Sequence, residues 1–98
     1  MSEAGYVYVW AYRVDPQKID TFVELYGPAG EWVALFRQAE GYIGTDLYRD
    51  VANETRFITI DRWATKSAYD EFKARHATEI DVLDRRGDEL TEEETRIA

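Results

Sequence analysis

The chain predicts an α+β fold of the ferredoxin-like kind, a split βαβ sandwich with helices packed on an antiparallel sheet. Three observations carry this expectation. Gly41–Trp63 reads as two strands joined by a turn at Val51–Thr55. Tyr6–Val14 reads as another strand. Helical periodicity fills the sequence between that strand and the hairpin, and again after it. A hairpin fixes its strands antiparallel, and the long connection into it lays helices across one sheet face. The last helix returns to that face.

Met1–Gly5 is expected to fray. Tyr6–Val14, YVYVWAYRV, alternates aromatic with aliphatic side chains. Asp15-Pro16 then reads as an N-cap followed by proline at the first helical position. Ile19, Phe22, Val23 and Tyr26 follow at helical spacing, and Gly27-Pro28 ends the helix. A short second helix carries Trp32, Leu35, Phe36 and Ala39 on one stripe, and Gly41 stops it. The hairpin strands are Tyr42–Asp50 and Arg56–Trp63, with Asn53 as the turn residue. Thr65 or Ser67 caps a third helix of about 20 residues. Its face holds Tyr69, Phe72, His76, Ile80 and Leu83, and Gly87 is its expected stop. Glu79–Ala98 contains eight acids against three arginines, which reads as a solvated face and tail. Thr91 and Glu94 fit a capping box; the alternative is a short last strand at Thr95–Ala98.

With 98 residues, one domain spanning 1–98 is expected, frayed at 1–5 and about 92–98. A domain this small buries only about 60–65% of its unfolded surface. The apolar content of 45% is that of a folded protein. Absence of cysteine excludes disulfides and thiolate chemistry. The net charge of −8 repels nucleic acid and anionic membrane surfaces, and it suits a neutral or cationic small molecule. No apolar run has the length of a membrane span, and Tyr6–Ala11 alternates like a strand with no basic flank. A cytoplasmic location is the expectation.

Alternation divides the predicted sheet into two apolar faces. One holds Tyr6, Tyr8, Trp10, Tyr12, Tyr42, Asp46, Tyr48, Phe57, Asp61 and Trp63. The other holds Val7, Val9, Ala11, Ile43, Leu47, Ile58 and Ile60. Helix stripes rich in rings match the first face in size. The aliphatic face is then left for a second copy of the chain, a homodimer packed sheet against sheet. Bulky rings seldom close a core without gaps, and such gaps make a pocket for an aromatic small molecule. Tyr8, Trp10, Tyr48, Trp32, Phe36 and Phe72 are the candidate substrate-binding rings.

The motifs from Tyr26 to Leu47 (Y-x-P-A-x-x-W-x-x-L-F-R-x-x-x-G-Y-x-G-T-x-L) and from Ile60 to Phe72 (I-D-R-W-x-T-x-x-A-Y-x-x-F) resemble the antibiotic biosynthesis monooxygenase domain, a family of dimeric α+β barrels. The resemblance covers Tyr6 to about Thr91. It implies a ferredoxin-like protomer, a dimer closed into a barrel, and a pocket between sheet and helices. Members include oxygenases that oxidise aromatic polyketide phenols without metal or flavin, so no cofactor is expected; others degrade haem. The chain departs from the family pattern in a last strand that is short or missing.

Three residues are candidates for chemistry. Asp61 shares the face of Trp63 and can take a phenol proton if burial raises its pKa. Its structural alternative is an acid paired with Arg13, Arg49 or Arg62. Trp63 matches the pocket tryptophan of the haem-degrading branch; its alternative is a core anchor. His76, the single histidine, is a base or haem ligand, or else a hydrogen-bonded residue at the core edge. The first-strand asparagine that haem degradation implies is absent from Tyr6–Arg13. One histidine without cysteine cannot form a zinc or iron triad, so no metal site is expected. Gly41-x-x-Gly44 opens a strand and is no phosphate loop. Three readings follow: a cofactor-independent monooxygenase of phenols or quinols, a haem-binding or haem-degrading protein, and a non-catalytic ligand-binding dimer.

Overall fold

The computed structural model describes residues 4–98. The expectation for Met1–Gly5 therefore falls largely on residues outside the description. The elements run β1 (Tyr6–Val14), α1 (Ile19–Tyr26), α2 (Glu31–Phe36), β2 (Tyr42–Arg49), β3 (Arg56–Trp63), α3 (Lys66–Arg75), α4 (Ala77–Asp88) and β4 (Thr91–Arg96). One sheet has the order β2-β3-β1-β4 with every neighbouring pair antiparallel. This is the expected ferredoxin-like α+β fold.

The helices cover the aromatic face. Tyr8, Tyr12, Phe57 and Trp63 from the sheet are buried with Phe22, Tyr26, Phe36, Phe72 and Leu83 from the helices. Ring meets ring throughout this layer: Phe22 stacks on Tyr26 at 4.4 Å, and Trp63 lies 5.1 Å from Phe72 and 5.6 Å from Phe36. Tilted and edge-on contacts of this kind add about 0.5–1.5 kcal/mol each beyond area burial. Among the described residues no helix is long and apolar enough to cross a membrane.

Several expectations change at element ends. Asp15 does not cap α1. Its carboxylate accepts from the Gln17 N–H at 2.9 Å, which closes a turn ahead of the helix. The predicted long third helix is two helices, broken at His76, where φ is −115° and ψ is 26°. Thr65 is the cap of α3, with its hydroxyl accepting from Ala68 N–H at 3.0 Å. Gly87 is no stop, since it lies inside α4. It is small because the Tyr26 hydroxyl occupies the space a Cβ would need. Gly41 is not the stop of the second helix, which ends at Phe36 with Arg37 as its C-cap; it closes the turn that leads into β2, with φ +88°, and a Cβ there would come within 2.7 Å of Ala68. Thr91–Arg96 is a full edge strand on β1 in place of a capping box, a frayed tail or a missing strand.

The largest correction concerns β2. Tyr42 faces Trp63 across the ladder, but Gly44 faces Arg62, so Ile43 is an extra residue and β2 carries a bulge. A shift of one residue reverses every later side chain. Thr45, Leu47 and Arg49 consequently pair with Asp61, Thr59 and Phe57 on the helix side, and Leu47 packs on the core. Asp46 and Tyr48 pair with Ile60 and Ile58 on the open face. Tyr48 is 55% exposed. It was expected among the pocket rings and lies on the opposite side of the sheet from them, whereas Leu47 leaves the aliphatic patch.

Candidate functional site

Asp61 sits in the middle strand of three, flanked across the ladder by Tyr8 of β1 and Thr45 of β2. Among the described residues, Asp61 and Thr59 are the two non-aromatic polar side chains that are buried, Asp61 at 6% exposure. None of the arginines considered for it pairs with it. Arg13 meets Glu92 and Glu93, Arg62 meets Asp46, and the Arg49 guanidinium lies over Phe57. Its contact instead is neutral: the Thr45 hydroxyl donates to Asp61 Oδ1 at 2.5 Å. Burial pushes the carboxyl up to about 6, with Thr45 and then Tyr8 pulling the other way.

Asp61 opens on a cavity of about 240 Å³ between sheet and helices. Tyr8, Trp10, Trp32, Phe36 and Phe72 line it, five of the six rings expected to do so. Tyr12, Tyr26 and Tyr69 complete the aromatic wall, and Thr59 accepts from or donates to the Tyr12 hydroxyl at 3.3 Å. Burial raises the phenols of Tyr8, Tyr12 and Tyr26, so these hydroxyls stay protonated donors at neutral pH.

The cavity rim was not foreseen. Asp84 of α4 and Glu94 of β4 reach it from elements that read as a solvated acidic tail, and Lys73 of α3 lies on the same rim. Burial raises both carboxyls first, and the neighbouring acids Asp88, Asp81 and Asp84 raise them further. The Lys73 ammonium is held over the Tyr69 ring at 4.7 Å and beside Asp70 at 3.8 Å.

Two predicted chemical residues stand apart from the cavity. Trp63 is wholly buried behind it, among Phe36, Tyr42, Tyr69 and Phe72. Its N–H lies by the Tyr8 hydroxyl but makes no hydrogen bond of ordinary geometry. His76 sits at the junction of α3 and α4, where Nδ1 meets Glu79 at 2.9 Å. It faces a separate surface depression with Glu71 and Arg75. The helix break accounts for this. A continuous helix would have kept His76 in line with Phe72 and Ile80.

Comparison with known proteins agrees with this architecture. Residues 6–79 match the family model of antibiotic biosynthesis monooxygenases. Among solved structures, the cofactor-independent oxygenase SnoaB from Streptomyces nogalater superimposes with a TM-score of 0.72 at 14% identity, covering 97% of this chain and 92% of that one. A conserved protein from Methanosarcina mazei Go1 gives 0.70 at 16% identity, covering 96% and 91%. The protein PA3566 from Pseudomonas aeruginosa gives 0.69 at 18%, covering 99% and 93%. Likeness at such identities shows a shared fold. No curated protein matches the chain.

Proposed function

Because the chain belongs to the antibiotic biosynthesis monooxygenase family, we propose that it is a cofactor-independent monooxygenase whose cavity binds an aromatic phenol or quinol. The observation that carries this reading is a single buried carboxylate, unpaired by any cation, facing a cavity walled by rings. An electron-rich phenol bound there loses its hydroxyl proton to Asp61. The resulting anion is oxidised by dioxygen and a carbon–oxygen bond forms. One oxygen atom stays in the product as a carbonyl and the other leaves as water. The substrate supplies the electrons, so the protein's part is to orient it, exclude water and accept the proton. The acidic rim of Asp84 and Glu94 favours a neutral or cationic molecule over an anionic one. A haem reading would need His76 in the cavity, and its partner is Glu79 outside it.

Anthrone or naphthohydroquinone prepared without oxygen and then mixed with aerated protein is expected to give oxygen uptake above the uncatalysed rate. Uptake at the buffer rate with every such substrate would sink the proposal.

The open sheet face belongs to the same proposal. Val7, Ile43 and Tyr48 are 48%, 64% and 55% exposed, and Val9, Ile58 and Ile60 lie between them. A second copy packed on this face would bury several hundred Å² of apolar surface at roughly 25 cal/mol per Å². Sedimentation at micromolar concentration is expected to show a dimer. Ile60→Asp, which puts a charge at the centre of the face, is expected to yield monomers. A wild-type monomer under those conditions would remove the dimer from the reading.

A further inference from the structure

The bulge in β2 does more than reverse a strand. In a regular strand Tyr42 and Thr45 would point to opposite faces. The extra residue Ile43 puts both on the helix side, three positions apart in sequence. Their hydroxyls meet at 2.7 Å, and Thr45 Oγ1 also lies 2.5 Å from Asp61 Oδ1. The order of donors follows from chemistry. An ionised carboxylate only accepts, so the one Thr45 hydrogen goes to Asp61, and Tyr42 must then donate to Thr45.

We propose that Tyr42 and Thr45 are positioning residues that form a proton relay between Asp61 and solvent. The proposal rests on reading Asp61 as the base. The relay leads from the cavity lining outward. Thr45 touches the cavity wall, whereas Tyr42 is half-buried outside it, with its ring on Phe36 and Trp63. A base buried under its substrate has to lose the proton it has taken before the next turnover. Once Asp61 carries that proton, it donates through Oδ1 to Thr45 Oγ1. The Thr45 hydrogen passes to the Tyr42 oxygen, and the Tyr42 hydrogen leaves to water. Each hydroxyl gains one proton and gives up one, and Asp61 is again a carboxylate. Tyr42 never has to exist as a phenolate, which matters because burial raises its pKa. No ligand movement is required.

Asp61 has other neighbours that shape its titration. Tyr8 of β1 stands beside it; Tyr69 and Lys73 of α3, Asp84 of α4 and Glu94 of β4 share its cavity. Of these only Tyr8 offers a competing path, through Tyr69, with which its ring is in contact at 4.9 Å.

The test is a carbon-13 NMR titration of the Asp61 carboxyl and the Tyr42 ring carbon bearing the hydroxyl. In the wild type Tyr42 is expected to show an inflection at the Asp61 midpoint. Thr45→Val should abolish that inflection and raise the Asp61 midpoint by about one to two pH units, because the ionised form loses its donor. Thr45→Ser keeps a hydroxyl and should restore both. Tyr8→Phe should leave the Tyr42 inflection in place. A Tyr42 resonance that ignores the Asp61 midpoint, or that still follows it in Thr45→Val, overturns the relay. If Thr45→Val does not fold, Thr45→Ser against Tyr8→Phe decides between the two paths. Oxygen uptake by Asp61→Asn tests the base separately, so either idea can fail while the other stands.

Discussion

Asp61→Asn is expected to be less active and more stable than the wild type at neutral pH. The activity side follows from removing the group that accepts the phenol proton. Positioned proton transfer is worth about 10²–10⁴ in rate, and asparagine has no basic site to replace it. The stability side follows from burial. Asp61 has its pKa pushed up to about 6 in the folded chain, against an ordinary 3.8 when unfolded. Over the interval between those values the folded state holds more protons than the unfolded one, so stability falls as pH rises. Below the interval the carboxyl is neutral in both states and costs nothing. Above it the full penalty applies, on the order of 3 kcal/mol. Asparagine avoids the penalty and can still accept from Thr45. Denaturant melts of both proteins at pH 4 and pH 7.5 check this. The two curves should nearly coincide at the lower pH and separate at the higher, with the variant ahead. Catalysis should run the other way, with wild-type oxygen uptake rising with pH through about 6 and the variant showing no such rise. A variant as active as the wild type would remove Asp61 from the mechanism.

Trp63→Ala is expected to come close to unfolding the domain. Trp63 is the largest of the fully buried side chains and touches rings from α2, β2 and α3. Removing a buried tryptophan costs about 3–5 kcal/mol, and a small domain has only about 5–15 kcal/mol to lose. For a chain of this size each kcal/mol lowers Tm by roughly 4–8 °C. Trp63→Phe is a sharper probe. It leaves a smaller void and removes an indole N–H that has no hydrogen bond, so the two changes oppose each other. Its cost should stay within about 2 kcal/mol. Thermal melts of both variants give the comparison. If Trp63→Phe is folded yet loses oxygen uptake, Trp63 has a role beyond packing.

The fold was legible in the chain because its signals are local and repeated. Alternation in Tyr6–Val14 and Arg56–Trp63 is unbroken, and the structure keeps it, with Phe57, Thr59, Asp61 and Trp63 all buried on one side. Five of the six pocket rings and Asp61 could be found by following that alternation and the helix stripes. What could not be read depends on single backbone events. The extra residue at Ile43 has no compositional mark beyond the neighbouring Gly44, yet it decides the sides of Thr45, Leu47 and Tyr48. The break at His76 carries no glycine or proline to announce it. Asp84 and Glu94 looked like solvated charge because they lie in a stretch, Glu79–Ala98, that holds eight acids against three arginines. Only the folding of α4 and β4 back over the sheet brings them to the cavity. Thr59 carried a usable signal, since it shares the parity of Phe57 and Asp61.

The bulge also bears on how this chain can change over time. Point substitutions can adjust the cavity or the open face one position at a time. A deletion can do so only at the bulge. Loss of one residue at Ile43–Gly44 would make the strand regular, with Thr45 two positions after Tyr42 and still opposite Asp61. Loss of Asp46 has no extra residue to absorb it: Leu47 would turn to the open side and Tyr48 would come under the helices, so core packing and outer surface would change in one event. Single-residue length changes should therefore be tolerated at the bulge and in the Val51–Thr55 turn, and purged between them.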